Sequence, residues 1–151
     1  MLSHATGWLP AGMSDPAPML RSVILDRSTT ESANYMELAG FAAAIPYKLD
    51  FIVFDACFMG AIEVCCELKD KTDYLVASPA EVLSPGFVYS TMMRHLFRIE
   101  ADLTAVAKDF YGYFNAQSGL LRSATVSVVR TAELDALADT FREIAEQAGS
   151  D

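Results

Sequence analysis

Cysteine and histidine are scarce in this chain. Cys57, Cys65 and Cys66 form an odd set with two members adjacent, so no disulfide framework is implied. Paired C-x-x-C or H-x-x-x-H ligands are missing, which argues against zinc. No glycine-rich loop follows an apolar run, leaving no phosphate cradle and weighing against a nucleotide or phosphate binder. An Asp-rich loop of the calcium-holding type is also lacking. No stretch of about 18 uninterrupted apolar residues occurs, so no membrane span is expected. A cationic segment followed by an apolar one is absent at the start, so no secretion signal is read within the chain. Basic residues are few, 11 against 20 acidic, for a net charge of −9. That balance opposes nucleic acid; it either maintains solubility or attracts cationic ligands such as a basic substrate.

What is present is enough apolar material for one packed domain. The 151 residues are 52% hydrophobic and show no repeats or low-complexity tracts, so a single domain over residues 1–151 is expected. Residues 11–32 read mainly as loop, with one short strand near Val23-Ile24-Leu25. A helix is predicted over 35–45, with Leu38, Phe41, Ala42 and Ile45 on one face and Pro46 just beyond. A strand over 49–56, a helix after Cys57 and a second apolar strand over 74–77 follow, the alternation of parallel βαβ units. Helices near 88–97 and 102–114 should cover the sheet. Residues 124–129 have strand composition, and Thr131 can cap a last helix with Leu134, Leu137, Ala138, Phe141 and Ile144 on its apolar face.

The strand over 49–56 is apolar on both faces, as a central parallel strand would be, and Cys57 stands at its carboxyl end. Open parallel sheets place their active sites at such ends. The helical spacing of residues 61–68 would put the thiol near a helix N-terminus, where thiolate is favoured. Cys65 and Cys66 lie within that helix and read as small buried hydrophobes. A nucleophilic thiol needs a proton acceptor. His4 closes a short apolar start and opens a turn-rich stretch, a second strand end, whereas His95 sits inside a helical pattern. A lone histidine is ordinarily just a packed side chain, but His4 and Cys57 at neighbouring strand ends is the arrangement that cysteine nucleophiles use.

Three segments together resemble one family: His4-Ala5-Thr6-Gly7-Trp8; Phe54-Asp55-Ala56-Cys57-Phe58-Met59-Gly60; and Val76-Ala77-Ser78-Pro79-Ala80-Glu81 with Pro85-Gly86. They are similar to the clostripain family of cysteine peptidases, relatives of caspases, gingipains and legumains, and the resemblance runs on through residues 123–128. It implies an α/β fold, a caspase-like α/β/α sandwich with a mainly parallel sheet. It also implies a Cys-His dyad with His4 as general base and Cys57 as nucleophile, and an oxyanion hole formed by the backbone N–H groups of Cys57 and Ala5. Relatives commonly carry glycine where Ala5 stands, so a donor held at positive φ would be strained here.

Clostripain-like enzymes cut after arginine or lysine, which needs an acid in the first specificity pocket. Asp55, two residues before Cys57, is the first candidate; alternatively it caps the following helix or orients a loop. Ser78 and Glu81 are secondary candidates for the pocket wall, or ordinary loop residues. The resemblance further implies self-cleavage between His4 and Cys57, for which Arg21 and Arg27 are the accessible sites and Lys48, beside the core strand, is not. No cofactor is expected; calcium, and a bacterial periplasmic or secreted location, rest on the resemblance alone. Caspase-like folds normally have strands upstream of the histidine, so the short start implies missing N-terminal strands, an open sheet edge, and a homodimer or partner chain that pairs with it. The competing function is a catalytically silent caspase-like module that binds a peptide or protein without cutting it.

Overall fold

The computed structural model describes residues 22–26 and 34–149. Two strands, β1 (Ser22–Asp26) and β2 (Asn34–Glu37), pair antiparallel. Helix α1 (Leu38–Ala44) follows directly. The helix predicted over 35–45 therefore starts three residues late, because residues 34–37 are drawn into pairing with a segment that no local pattern reveals. The buried face is the expected one: Leu38, Ala42 and Ile45 are buried, and Phe41 packs on Phe54 with ring centres 5.8 Å apart.

The central sheet contains β3 (Leu49–Val53), β4 (Thr72–Ala77) and β5 (Ser127–Arg130), in that order, with α2 (Ile62–Leu68) between β3 and β4. β3 and β4 are parallel, with Leu49 opposite Thr72 and Val53 opposite Val76. β5 lies antiparallel to β4, with Leu75 opposite Val129. The expected parallel alternation is thus broken at β5. Its cause is the connection, which contains two helices, α3 (Tyr89–Leu96) and α4 (Leu103–Asn115). A helical pair returns the chain to the sheet end it left, so Ser127 pairs with Ala77.

Strand alternation sorts the core into two layers. Ile52, Leu75, Ala77 and Val129 pack with Leu38 and Ala42 of α1 and Val64, Cys65 and Leu68 of α2. Phe51, Val53, Tyr74 and Val76 face Met92 of α3 and Leu103, Val106, Phe110 and Phe114 of α4. The result is the helix–sheet–helix sandwich of a mixed α/β fold. Asp102 caps α4 by accepting from the Ala105 N–H at 2.9 Å.

A 3₁₀ turn from Thr131 to Glu133 leads into α5 (Leu134–Ala148). Thr131 does not cap it; buried, its hydroxyl donates to the carbonyls of Thr72 and Asp73 at 2.6 and 3.1 Å and ties the turn to the start of β4. Of the expected apolar face only Leu134 is buried; Leu137, Phe141 and Ile144 are 54, 72 and 59% exposed. Cys65 is buried, whereas its neighbour Cys66 is exposed. Adjacent helical positions point about 100° apart, so one core-facing stripe takes only one of them. Among the described residues no helix is long and apolar enough to cross a membrane.

Candidate active site

Beyond the last paired residue of β3 the chain stays extended, the Phe54 N–H donating to the Val76 carbonyl at 2.9 Å. It then turns through Cys57 and Phe58, the latter in the left-handed region at φ 62°. The Phe58 and Gly60 N–H groups donate to the carbonyls of Ala80 and Ser78, at 3.0 and 2.8 Å. The turn at Cys57 is thus laced to the segment leaving β4. Gly60 makes this possible: a Cβ there would stand 2.7 to 2.9 Å from backbone atoms of Ala77, Ser78 and Pro79, closer than any side chain tolerates.

Helix α2 begins only at Ile62. The donor that reaches the Cys57 sulfur is therefore not a helix amide but the Val82 N–H, 3.3 Å away in the loop after β4. The same residue's carbonyl lies 3.9 Å from the sulfur, so Val82 brackets the thiol with both of its backbone groups. The Cys57 N–H itself has no acceptor among the described residues. Cys65 is chemically different: burial, and next the proximity of Cys66, push its thiol up to about 11. That makes it an inert core group, while exposed Cys66 remains open to any reagent.

Asp55 is held by the same loop further on. Its carboxylate accepts from the Phe87 N–H at 3.3 Å and from the Tyr89 hydroxyl at 2.9 Å. Cys57 and Asp55, two residues apart, are both gripped by residues 82–89. Ser78 needs correcting as a pocket-wall residue. It is 1% exposed, its hydroxyl 2.9 Å from that of Thr125 and bonded to the backbone of Ala80. It organises the loop from beneath and presents nothing to a substrate. Glu81 is exposed on that loop.

His95 lies elsewhere, with Nε2 2.9 Å from Asp109, bridging α3 to α4. It lines a groove of about 750 Å³ that includes none of the candidate residues. His4, Ala5, Arg21 and Arg27 lie outside the described residues. Among those described, no cluster of three or more His, Cys, Asp and Glu side chains is placed to hold a metal ion. Val82, Gly86, Phe87 and Tyr89 were not anticipated as site residues; the two prolines and the glycine at 85–86 marked a loop beside the crevice, but nothing local marked what it touches.

The sequence model of the clostripain family, the C11 peptidases, matches residues 1–151, the whole chain. The chain belongs to the clostripain family. Solved structures agree with this assignment. An inactive zymogen C11 protease from Parabacteroides distasonis is 38% identical, with a TM-score of 0.69, over 93% of this chain and 36% of that one. A clostripain from Bacteroides thetaiotaomicron bound to a peptide inhibitor is 33% identical, with a TM-score of 0.69, over 76% and 52%. A secreted C11 cysteine protease from the same organism, in complex with an irreversible peptide inhibitor, is 29% identical, with a TM-score of 0.73, over 93% and 41%. The chain thus spans between about a third and a half of the structures it resembles. No functionally curated protein matches it.

Proposed function

We propose that this clostripain-family chain carries the catalytic core of a cysteine endopeptidase that cuts after arginine or lysine. The observation that supports this reading most is the joint hold of residues 82–89 on Cys57 and Asp55 at the end of β3. One presents a thiol to a scissile carbonyl, the other a carboxylate to a basic side chain beside it.

In the mechanism the Cys57 sulfur attacks the carbonyl carbon, forming a C–S bond as the carbonyl oxygen becomes an oxyanion. The N–H of Cys57, without an acceptor among the described residues, donates to that oxygen, with the Ala5 N–H as its expected companion. His4 takes the thiol proton and passes it to the leaving amine as the C–N bond breaks, leaving a thioester. Water, deprotonated by His4, then cleaves the C–S bond; the carboxylic product leaves and the thiol recovers its proton. The edge of β3 away from β4 has no partner among the described strands, and a strand ending at His4 would place imidazole beside Cys57 by pairing there. Self-cleavage after Arg21 or Arg27 belongs to the same proposal, supported by the zymogen form of one relative. Export from the cell is supported by the secreted one.

The test is hydrolysis of fluorogenic peptides ending in Arg, Lys, Asp or Leu by the complete protein, its Cys57→Ala variant and its Asp55→Ala variant. Cleavage after Arg and Lys that vanishes in the first variant and loses its basic preference in the second is expected. A folded protein that cuts none of the peptides would make the site a peptide-binding one.

A further inference from the structure

We propose that Tyr89 is a specificity-determining positioning residue: with the Phe87 amide, its hydroxyl holds the Asp55 carboxylate in the orientation that receives a basic side chain. This deepens the proposed function and rests on its reading of Asp55 as the acid of the first pocket.

Among the described residues no Lys, Arg or His forms an ion pair with Asp55. Its partners are neutral donors, the Tyr89 hydroxyl at Oδ2 and the Phe87 N–H at Oδ1. A carboxylate offers about four lone-pair positions. Among the described residues two are used, one on each oxygen, and the positions left over are what a forked guanidinium or a single ammonium requires. Neutral donors fix the group without cancelling its charge, and that residual charge is what a cationic side chain would bind. Burial, followed by the hydrogen bond and charge of Asp55, raises the Tyr89 phenol above its ordinary value. It remains a protonated donor at neutral pH.

The rest of the cradle is equally close. Gly86 has φ 76°, and a Cβ there would lie 2.3 Å from Asp55 Oδ1, so the backbone rests directly against the carboxylate. Phe87 is 2% exposed and stacks on Phe110 at 4.3 Å, while Tyr89 opens α3, whose Met92 is buried in the same layer. The amide donor is therefore mounted on packed structure, and the Tyr89 ring, 52% exposed, is carried by the first turn of a helix that is itself packed.

The experiment compares the complete wild-type protein with Tyr89→Phe, Asp55→Ala and the double variant, on peptides with Arg, Lys or Leu before the scissile bond. Tyr89→Phe keeps the ring and removes one donor to a charged acceptor. The kcat/KM ratio of Arg over Leu is expected to fall about tenfold, carried by KM rather than kcat. In the Asp55→Ala background the same change should have no further effect on that ratio, because its target is gone. General structural damage would instead lower all substrates alike and add to Asp55→Ala. Benzamidine, an amidinium, supplies a readout without turnover: its Kd should rise about tenfold in Tyr89→Phe. Unchanged basic preference and unchanged benzamidine binding in Tyr89→Phe would overturn the inference and leave the proposed specificity standing. A wild-type protein that neither prefers basic peptides nor binds benzamidine would overturn both.

Discussion

The crevice segments and the last helix are organised in opposite ways. Residues 54–60 and 76–89 bury Phe54, Met59, Val76 and Phe87, and between these anchors they are laced by the amides of Phe54, Phe58, Gly60, Val82 and Phe87, with Gly60 at a point too close for any Cβ. Helix α5 has a long apolar stripe, yet among the described residues Leu134 is its one buried side chain, joined in the first turn by an ion pair from Asp135 to Lys69 of α2. Amphipathic spacing tells which face of a helix seeks a partner; it does not tell that the partner is packed there. Directed amides order a loop whose sequence looks like mere punctuation, and that is what places a thiol and a carboxylate for chemistry.

Substitutions can break this contrast. Leu134→Ala truncates the one side chain of α5 that is buried among the described residues and should cost about 2–5 kcal/mol in urea denaturation. Gly60→Ala forces a Cβ against the backbone of residues 77–79; about 1–3 kcal/mol of lost stability is expected, with slowed alkylation of Cys57 as the sign that the turn has shifted. Cys65 sits in the same cluster as Leu134, and its raised folded pKa of about 11 exceeds the ordinary 9.0. Its contribution is therefore complete below pH 9 and lost as pH rises toward 11, at up to about 1.4 kcal/mol per pH unit. Stability measured from pH 8 to 11 should decline less steeply in Cys65→Ala. Phe141→Ser, on the exposed stripe, should change stability by less than about 0.5 kcal/mol. A loss comparable to that of Leu134→Ala would mean that α5 is anchored along its length, and the contrast would fail.

The same contrast explains what could be read from the residues alone. β3, β4, α2, α3 and α4 were legible because alternating or helical apolar positions face cores built within the chain. The late start of α1 was not, because β2 exists only through its pairing with β1. Nor was the direction of β5, which depends on how two helices pack rather than on its own composition. That Cys57 and Asp55 stand just beyond β3 was legible from where an apolar run ends. Their partners Val82 and Tyr89 lie 25 and 34 residues away, and backbone amides carry no side-chain signature. Thr131 looked like a cap because capping is the local use of threonine; its partners are across the fold.

The most direct test of the central claim, that Cys57 is the nucleophile of a peptidase site, uses a peptide ending in lysine with an electrophilic ketone in place of the scissile bond. After incubation with the complete protein, mass spectrometry locates the adduct. A single adduct on Cys57, formed well before any on exposed Cys66 and absent in Cys57→Ala, is the result this account predicts. Modification of Cys66 at an equal rate, or no modification of a folded protein, would contradict it.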